Sequence, residues 1–395
     1  MTLFEALLAI VALLVFVPVS LLLVQVLLAC LLKTRYLKLF CKRPSVVVLM
    51  PAHNEALVLA DTLSSIFPQL IEGDQLLLVA DNCSDSTATI AQAAGAEVIE
   101  RVDLERRGKG YALDFGIRHL LQSKAPEVVI VIDADCHVSE GAIDRLSRVC
   151  IEVGRPVQAL YLMRAPLGGG LKVRVAEFAW LVKNLVRPLG FYHIGLPCQL
   201  MGTGMAFPWS VLCETSLASG HLVEDMKLGI ELTRLGKPPL FCPEVLVTSM
   251  FPDSVEGAQT QRTRWEHGHL GMIVNEAPML LVEALLQLNL QLFALIMDMS
   301  IPPLALLLLA VFALCGMSMV DLAIGGAVIP LKLAGTDLLL MGVAVFVAWW
   351  RFGQHILNLK DLANSPIYAL RKIPLYLKFL VGRQAEWVRS KRDKD

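Results

Sequence analysis

The sequence predicts an α/β domain, with a mostly parallel sheet covered by helices, joined to α-helical membrane segments. Three observations lead to this class. The 395 residues are 55% hydrophobic and 18% charged, with a mean hydropathy of +0.60, which is too apolar for an ordinary soluble domain. Residues 6–32 contain no charged side chain. From Ser45 onward, short apolar strands alternate with helical patterns, the order that produces a parallel sheet.

The first predicted element is a membrane helix followed by a basic linker, together covering residues 1–43. The uncharged run is longer than the roughly 20 residues needed to cross a bilayer. A cleaved signal peptide is the alternative, but the run is long and Glu5, with no Lys or Arg, precedes it. The basic residues that follow predict a cytoplasmic location for this end: Lys33, Arg35, Lys38, Lys42 and Arg43.

The central segment, residues 44–255, is predicted to be the cytoplasmic α/β domain. Short β-branched or Leu-rich runs predict buried strands, and apolar residues at helical spacing predict the helices between them. The predicted strands are 46–50, 75–80, 97–100 and 128–132, and the predicted helices are 56–67, 86–94, 111–121 and 221–236. Ligands bind at the carboxyl ends of such strands.

Polar residues follow three of these strands: PAHNE at 51–55, DNCSD at 81–85 and DAD at 133–135. Solvated loops are the alternative interpretation. Asp133 and Asp135 are two positions apart and point the same way, so their charges repel unless a cation lies between them. Carboxylate oxygens suit Mg²⁺ or Mn²⁺ bound to a diphosphate. This pattern predicts a metal site, although a lone DxD is common by chance.

Three further segments are candidate site elements. Lys109, in a basic Gly-rich turn, is predicted to contact phosphate or sugar, with a solvated turn as the alternative. Asp225, after Glu224 at a helix start, is either a general base or a helix cap. Gly202 and Thr203, which precede this helix, are predicted to approach an acceptor closely. In QRTRW, residues 261–265, an Arg and a Trp suit a diphosphate and a sugar, or else an interfacial helix.

The C-terminal third predicts more membrane. Interfacial helices are expected over 256–290, and transmembrane helices over 291–352. One apolar region begins near Leu288 and is broken at Asp298 and at Pro302–Pro303. A second apolar region covers 338–350. A basic cytoplasmic tail follows over 353–395. Three crossings agree with the charge bias, although a further crossing or a re-entrant turn within 288–350 is an open alternative.

Net charge and cysteines exclude some classes. A net charge of −1 gives no support for nucleic-acid binding. The nine cysteines form no CxxC pair, which favours reduced thiols in a cytosolic environment.

Taken in order, the motifs resemble those of the family 2 glycosyltransferases, the broad group that includes cellulose synthase, hyaluronan synthase, poly-N-acetylglucosamine synthase and ceramide glucosyltransferase. The matching motifs are PAHNE (51–55), Asp81, RGKGYAL (107–113), DAD (133–135), ED (224–225) and QRTRW (261–265). The resemblance covers about residues 44–275, and the order of the motifs is much more specific than any one of them.

The resemblance implies a GT-A fold, an inverting mechanism with Asp225 as catalytic base, and Mg²⁺ or Mn²⁺ held by Asp133 and Asp135. UDP is favoured as the carrier nucleotide through the resemblance alone, with Asp81 near its base. The residues implied to bind the nucleotide-sugar are Pro51, His53, Glu55, Asp81, Lys109 and Asp133. Those implied to line the acceptor and diphosphate pocket are Gly202, Thr203, Glu224, Gln261, Arg264 and Trp265.

The small number of membrane helices favours a single-addition enzyme acting on a lipid-linked or lipid acceptor in envelope glycan synthesis. A small processive polysaccharide synthase is the first alternative. A non-catalytic membrane scaffold of a polysaccharide assembly complex is an alternative of another class. The expected partners are a nucleotide-sugar donor, a glycan or lipid acceptor, the bilayer and polysaccharide assembly proteins, without nucleic acid. The expected location is the inner membrane, crossed several times, with a cytoplasmic catalytic domain.

Overall fold

A computed structural model of the protein describes residues 2–122, 125–252 and 254–381. The chain forms two compact units. One unit, here called the catalytic-side unit, comprises Thr34–Pro166 and Leu196–Gly268. The other, the membrane-helix unit, comprises the chain through Lys33, Leu167–Gly195 and the chain from His269.

Helices and strands are interspersed through residue 250, and the described elements after it are all helical. The helices are α1 (Leu3–Leu31), α2 (Leu59–Ile66), α3 (Thr87–Ala93), α4 (Lys109–Leu120), α5 (Ala142–Val153), α6 (Leu171–Leu181), α7 (Arg187–His193), α8 (Trp209–Cys213), α9 (Glu224–Arg234), α10 (Val255–Asn275), α11 (Ala277–Leu286), α12 (Leu290–Met299), α13 (Leu304–Ala323), α14 (Val328–Ala348), α15 (Leu359–Leu370) and α16 (Ile373–Val381). A 3₁₀ turn covers Phe67–Gln69, and π-helical turns cover Val182–Val186 and Trp349–Gly353.

The strands of the catalytic-side unit are β1 (Val46–Ala52), β2 (Gln75–Asp81), β3 (Glu97–Arg101), β4 (Val128–Val131), β5 (His137–Val138), β6 (Val157–Arg164), β7 (Met205–Pro208) and β8 (Leu240–Met250). Within the described residues they form one sheet in the order β3-β2-β1-β4-β7-β6-β8-β5. β1 runs parallel to β2 and β4, β2 to β3, and β6 to β8. β7 is antiparallel to β4 and β6, and β5 to β8.

The central strands are apolar because helices cover the sheet. Leu49, Leu77, Val79 and Val131 are buried in one core cluster. α4 packs closely on this surface, since a Cβ at Gly116 would lie 2.5 Å from Leu49 Cδ1. The mostly parallel, helix-covered sheet predicted from the sequence is confirmed, and its carboxyl edge carries the loops of interest.

Two predicted boundaries at this edge are wrong. β1 continues through Pro51, which pairs with Val79 of β2. Its missing N–H faces the side where pairing with β4 has already ended, at Leu49, so no ladder bond is lost. The predicted helix from residue 56 begins only at Leu59, and the backbone N–H groups of Glu55 and Ala56 bind Thr87, the first residue of α3, and Asp85 of the loop after β2.

The membrane-helix unit supplies three described helices long and apolar enough to cross a membrane: Leu3–Leu31, Leu304–Ala323 and Val328–Gly353. The pair Gln259–Asn275 and Ala277–Leu286, bent by 48°, is a fourth candidate if it forms one span. The protein is therefore a membrane protein with three predicted spans, as the hydropathy indicates.

The positions of the second and third spans differ from the sequence prediction. The apolar region from Leu288 contains two helices, α12 of ten residues and α13, because Pro302 and Pro303 interrupt helical hydrogen bonding. The last span begins at Val328 rather than at 338. Asp337 therefore lies within a candidate membrane helix, just before the apolar region that the sequence shows from 338.

A buried ion pair joins three segments of the membrane-helix unit. Asp298 of α12 accepts a hydrogen bond of 2.8 Å from Arg187 of α7, and another of 2.7 Å from Gln25 of α1. Asp298 is therefore compensated, as buried charges in membranes usually are. This finding favours a structural role for Asp298, the residue that stood out in the apolar sequence.

Candidate active site

The loops that follow β1 and β2 form one hydrogen-bonded network. His53 Nδ1 lies 2.7 Å from the carbonyl oxygen of Asp81, and Asn54 Oδ1 accepts a 2.7 Å bond from the N–H of Ser84. Asn54 and Asn82 both have left-handed backbone conformations, with φ of 55° and 52°. Such conformations are uncommon outside glycine and often mark functional sites, so this network gives the edge of the sheet a fixed shape.

The carboxylate of Asp81 is fixed by an arginine that sequence reasoning missed. Arg101, the last residue of β3, donates a 2.6 Å bond from Nη1 to Asp81 Oδ1, and Asn82 Nδ2 donates to the same oxygen at 3.0 Å. Arg101 also binds Asp103 and lies over the ring of Tyr111 at 5.8 Å. A strand-end Arg was visible in the sequence, but only the β2–β3 register shows that it faces Asp81.

Lys109 joins two of the predicted site segments. As the first residue of α4, it donates to Asp133 Oδ1, and its Nζ donates a 2.8 Å bond to the carbonyl oxygen of Gly202. Burial opposes the charge on Lys109, but Asp133 and Glu224 outweigh that effect and leave the pKa of Lys109 above its usual value. A permanently charged ammonium therefore lies among the carboxylates of the site.

The two aspartates of DAD repel each other. Burial raises the pKa of Asp133; Lys109 lowers it, and Asp135 raises it further. The charge of Asp135 therefore acts directly on Asp133. The Asp133 backbone N–H donates a 3.0 Å bond to Thr203 Oγ1, so the turn after β4 is tied to the loop before β7.

Glu224 and Asp225 begin α9, as predicted. Asp225 lies beside Gly202 and Lys109, because a Cβ on Gly202 would lie 3.5 Å from Asp225 Oδ2 and 3.6 Å from Lys109 Nζ. Burial raises the pKa of Glu224 to about 7, and Asp225 adds to the effect. The two acids therefore share one crowded site, in which the pair holds a proton more readily than separate carboxylates would.

Arg264 of α10 completes the cluster. Burial lowers the pKa of its guanidinium, and the charges of four carboxylates oppose that effect. The four carboxylates are those of Glu224, Asp133, Asp135 and Asp225. Arg264 thus adds a second positive charge to that of Lys109 among these four carboxylates, and its planar donor group matches a diphosphate better than a lysine does.

The remaining predicted site residues lie on β1, in the segment that follows it, and on α10. Pro51 lies near the carboxyl end of β1, and the Glu55 N–H binds Thr87 Oγ1 at 2.8 Å. Gln261 and Trp265 lie one turn apart on α10 and are half-buried. Their positions are compatible with the predicted pocket, and their roles remain predictions.

The donor set fits a divalent cation that is shared with a diphosphate. Among the residues described, no group of three or more His, Cys, Asp or Glu side chains could hold a metal ion alone. Mg²⁺ characteristically binds one or two carboxylates and takes its other ligands from phosphates and water. Asp133 and Asp135 match that requirement, since their mutual repulsion would be relieved by a cation.

A family model described as "Glycosyltransferase like family 2" matches residues 44–268. The chain belongs to this family. The resemblance derived from PAHNE, DAD, ED and QRTRW is thereby confirmed, and the matched residues include the whole charged cluster.

Two curated relatives are similar over the same part of the chain. The protein named "Probable glycosyltransferase YdaM" of Bacillus subtilis is 25% identical over 242 residues, which are 57% of this chain and 55% of the relative. Poly-beta-1,6-N-acetyl-D-glucosamine synthase of Staphylococcus epidermidis is 24% identical over 230 residues, 56% of this chain and 53% of that protein. The chain thus matches about half the length of these relatives.

The fold also resembles a solved structure. The mannosyltransferase PcManGT of Pyrobaculum calidifontis, in complex with GDP-Man and Mn²⁺, matches with a TM-score of 0.59 and 16% sequence identity, covering 95% of this chain and 100% of that one. At this identity the likeness supports the fold alone. The fold of the catalytic-side unit is GT-A, as the motifs predicted.

Proposed function

We propose that this protein is an inverting glycosyltransferase, which moves a sugar from a nucleoside-diphosphate sugar to a lipid-linked or lipid acceptor. The observation that carries the proposal is the convergence of charged side chains from separate chain segments. Lys109 binds Asp133 and the Gly202 carbonyl, and Asp225 lies beside Gly202. The charges of Asp135, Glu224 and Arg264 act on the same cluster. Burying this many charges lowers the stability of the fold, because each charge loses its hydration. It is useful where a charged ligand and a proton acceptor must meet.

In the proposed reaction, an acceptor hydroxyl oxygen forms a bond to the anomeric carbon of the sugar, while the bond from that carbon to the diphosphate breaks. Asp225 takes the proton of the hydroxyl group, a role typically worth about 10²–10⁴-fold in rate. The configuration at the anomeric carbon inverts because the acceptor attacks from the side opposite the leaving group. Gly202 lies beside Asp225, and it is proposed, with Thr203, to border the acceptor.

The leaving group is a nucleoside diphosphate, and its charge must be stabilised as the bond breaks. Arg264 is proposed to bind the diphosphate oxygens. A divalent cation held by Asp133 and Asp135 would neutralise further charge there. The nucleotide is proposed to lie along the carboxyl edge of β1 and β2, near Pro51, His53, Glu55 and Asp81.

The proposed membrane topology follows the charge pattern. Basic residues between α1 and β1, and again after residue 370, favour the cytoplasm for the site. We propose the domain limits 1–43, 44–255, 256–290, 291–352 and 353–395 for the first membrane segment, the catalytic domain, the interfacial helices, the later membrane helices and the tail. Residues 382–395 of that tail lie outside the described residues.

A small processive polysaccharide synthase is the second candidate. The similarity to a poly-beta-1,6-N-acetyl-D-glucosamine synthase favours it. The three described candidate spans favour single addition, since a secreted polymer needs helices to line its path. UDP is the proposed carrier nucleotide, and a UDP-sugar is tested beside a GDP-sugar below.

The test is a donor screen with the full-length protein in membranes, using UDP-glucose, UDP-N-acetylglucosamine, UDP-galactose and GDP-mannose. Nucleoside diphosphate release from one donor is expected with Mn²⁺ or Mg²⁺, and at least a tenfold lower rate with excess chelator. Mass analysis of the lipid extract then identifies one added sugar or a polymer. Absence of release from all four donors, with folded protein, would favour the scaffold alternative.

A further inference from the structure

A buried glutamine, Gln158, lies beneath the site at the point where the sheet pairing ends. β6 pairs with β7 only through Val157 and Gln158, opposite Ala206 and Met205. The chain that precedes β7 forms the loop 201–204, which remains bonded to the sheet at Gly204: its carbonyl accepts from the Ala159 N–H at 2.8 Å, and its N–H donates to the Val131 carbonyl at 2.9 Å. Backbone N–H and C=O groups buried in such a loop need other partners. The side chain of Gln158, which has no exposure to solvent, supplies two of them.

The Gln158 amide is bonded on both of its sides. Its Nε2 donates to the Thr203 carbonyl at 2.9 Å and to the Ala159 carbonyl at 2.8 Å. Its Oε1 accepts a 2.8 Å bond from the Met201 N–H. An amide is the side-chain group that carries two N–H donors and an acceptor oxygen together without charge. Gln158 thus holds the loop at residues 201 and 203.

The residues held in this way reach the charged cluster directly. The hydroxyl of Thr203 accepts the bond from the Asp133 N–H, and the carbonyl of Gly202 accepts the bond from Lys109. The backbone at Gly202 has φ of +88°, and its α-carbon faces Asp225. A shift of this loop would therefore move Lys109, Asp133 and Asp225 relative to one another.

We propose that Gln158 is a positioning residue, which fixes the loop 201–204 so that Asp225 and the Lys109–Asp133 pair keep their relative places during transfer. The inference deepens the proposed function and rests on it. Gln158 itself is buried and touches no substrate, so it acts through the loop. Misplacement of reacting groups by about 1 Å can cost about 100-fold in rate, which sets the scale of the expected effect.

The chain offers a matched control at Gln69. Its Nε2 donates to the carbonyls of Ser65 and Ser139 at 2.7 and 3.1 Å, and its Oε1 accepts from the Ile143 N–H at 3.3 Å. The bonding pattern is that of Gln158, although Gln69 is only half-buried, and its partners lie on α2, on α5 and just before α5. Gln69→Leu therefore removes three side-chain hydrogen bonds of the same kinds, and we expect it to leave the loop 201–204 in place.

The experiment compares Gln158→Leu, Gln158→Glu and Gln69→Leu in the full-length protein, using the donor identified in the screen. Gln158→Glu keeps the size of the side chain but places a carboxylate against the Thr203 carbonyl, and it serves if the leucine variant fails to fold. The thermal midpoint, kcat and the donor KM are measured for each. We expect both Gln158 variants to lower kcat about 10- to 100-fold, with the donor KM within about threefold of wild type.

Gln69→Leu is expected to keep kcat within about twofold of wild type at a comparable loss of thermal midpoint. Wild-type kcat in a folded Gln158 variant would overturn the inference, and so would an equal loss of kcat in Gln69→Leu. A wild-type protein that releases no nucleoside diphosphate from any donor would overturn the proposed function itself, and this inference with it.

Discussion

Asp225→Asn is expected to lower the transfer rate by about 10²–10⁴-fold while the donor still binds. Asparagine keeps the size of the side chain beside Gly202 and Lys109, but it cannot accept the proton of an acceptor hydroxyl. The change also removes one of the charges that raise the pKa of Glu224, so we expect no loss of folding stability. The rate is read from nucleoside diphosphate release, and donor affinity from calorimetric titration.

The control is Glu231→Gln, which removes a carboxylate further along the same helix, outside the cluster. It is expected to leave the rate within about twofold of wild type. A rate near that of wild type in Asp225→Asn would remove Asp225 from the base role and would direct attention to its neighbour Glu224.

Arg264→Gln is expected to lower the rate by about 10²–10³-fold, the usual effect of losing one donor that stabilises developing charge. The loss should be larger for kcat/KM than for the binding of the free nucleoside, because the guanidinium is proposed to bind the diphosphate. Titration with UDP and with uridine separates the contribution of the diphosphate to binding from that of the nucleoside. UDP affinity should fall, and uridine affinity should not change.

Arg262→Gln is the matched variant. It lies two residues away on α10, so it points to a different side of the helix from Arg264. Its removal is expected to change the rate by less than about threefold. Equal losses in the two variants would indicate that net positive charge on α10 matters rather than the guanidinium of Arg264.

The sheet and the site edge were predictable because each depends on local pattern. Apolar runs of β-branched residues ending in PAHNE, DNCSD and DAD identify the strands β1, β2 and β4 and place polar groups at their ends. The start of α9 at Glu224 was also predictable, since an acidic pair before a periodic helix is a common start signal. These features need only a few neighbouring residues.

The supporting residues were not predictable, because each depends on a pairing distant in sequence. Arg101 faces Asp81 only through the parallel register of β2 and β3, and Gln158 reaches residues 201 and 203 only where β6 leaves β7. Likewise, the short antiparallel strand β7 (Met205–Pro208) shows no period-2 pattern of its own.

The membrane segments were predicted in number more reliably than in position. Hydropathy finds apolar runs, but the breaks depend on single residues such as Pro302 and Pro303. The ion pair between Arg187 and Asp298 shows a further limit: its partners are 111 residues apart, so the sequence showed an acidic residue in an apolar run without showing what compensates its charge.

The central claim is that Asp133, Asp135, Asp225 and Arg264 surround one nucleotide-binding site. The most direct measurement is an experimental structure of the protein with UDP and Mn²⁺, in which anomalous scattering locates the manganese. We predict manganese bound to Asp133 or Asp135, with the diphosphate against Arg264 and the carboxylate of Asp225 facing the adjoining space. Manganese and diphosphate bound elsewhere on the protein would contradict the claim.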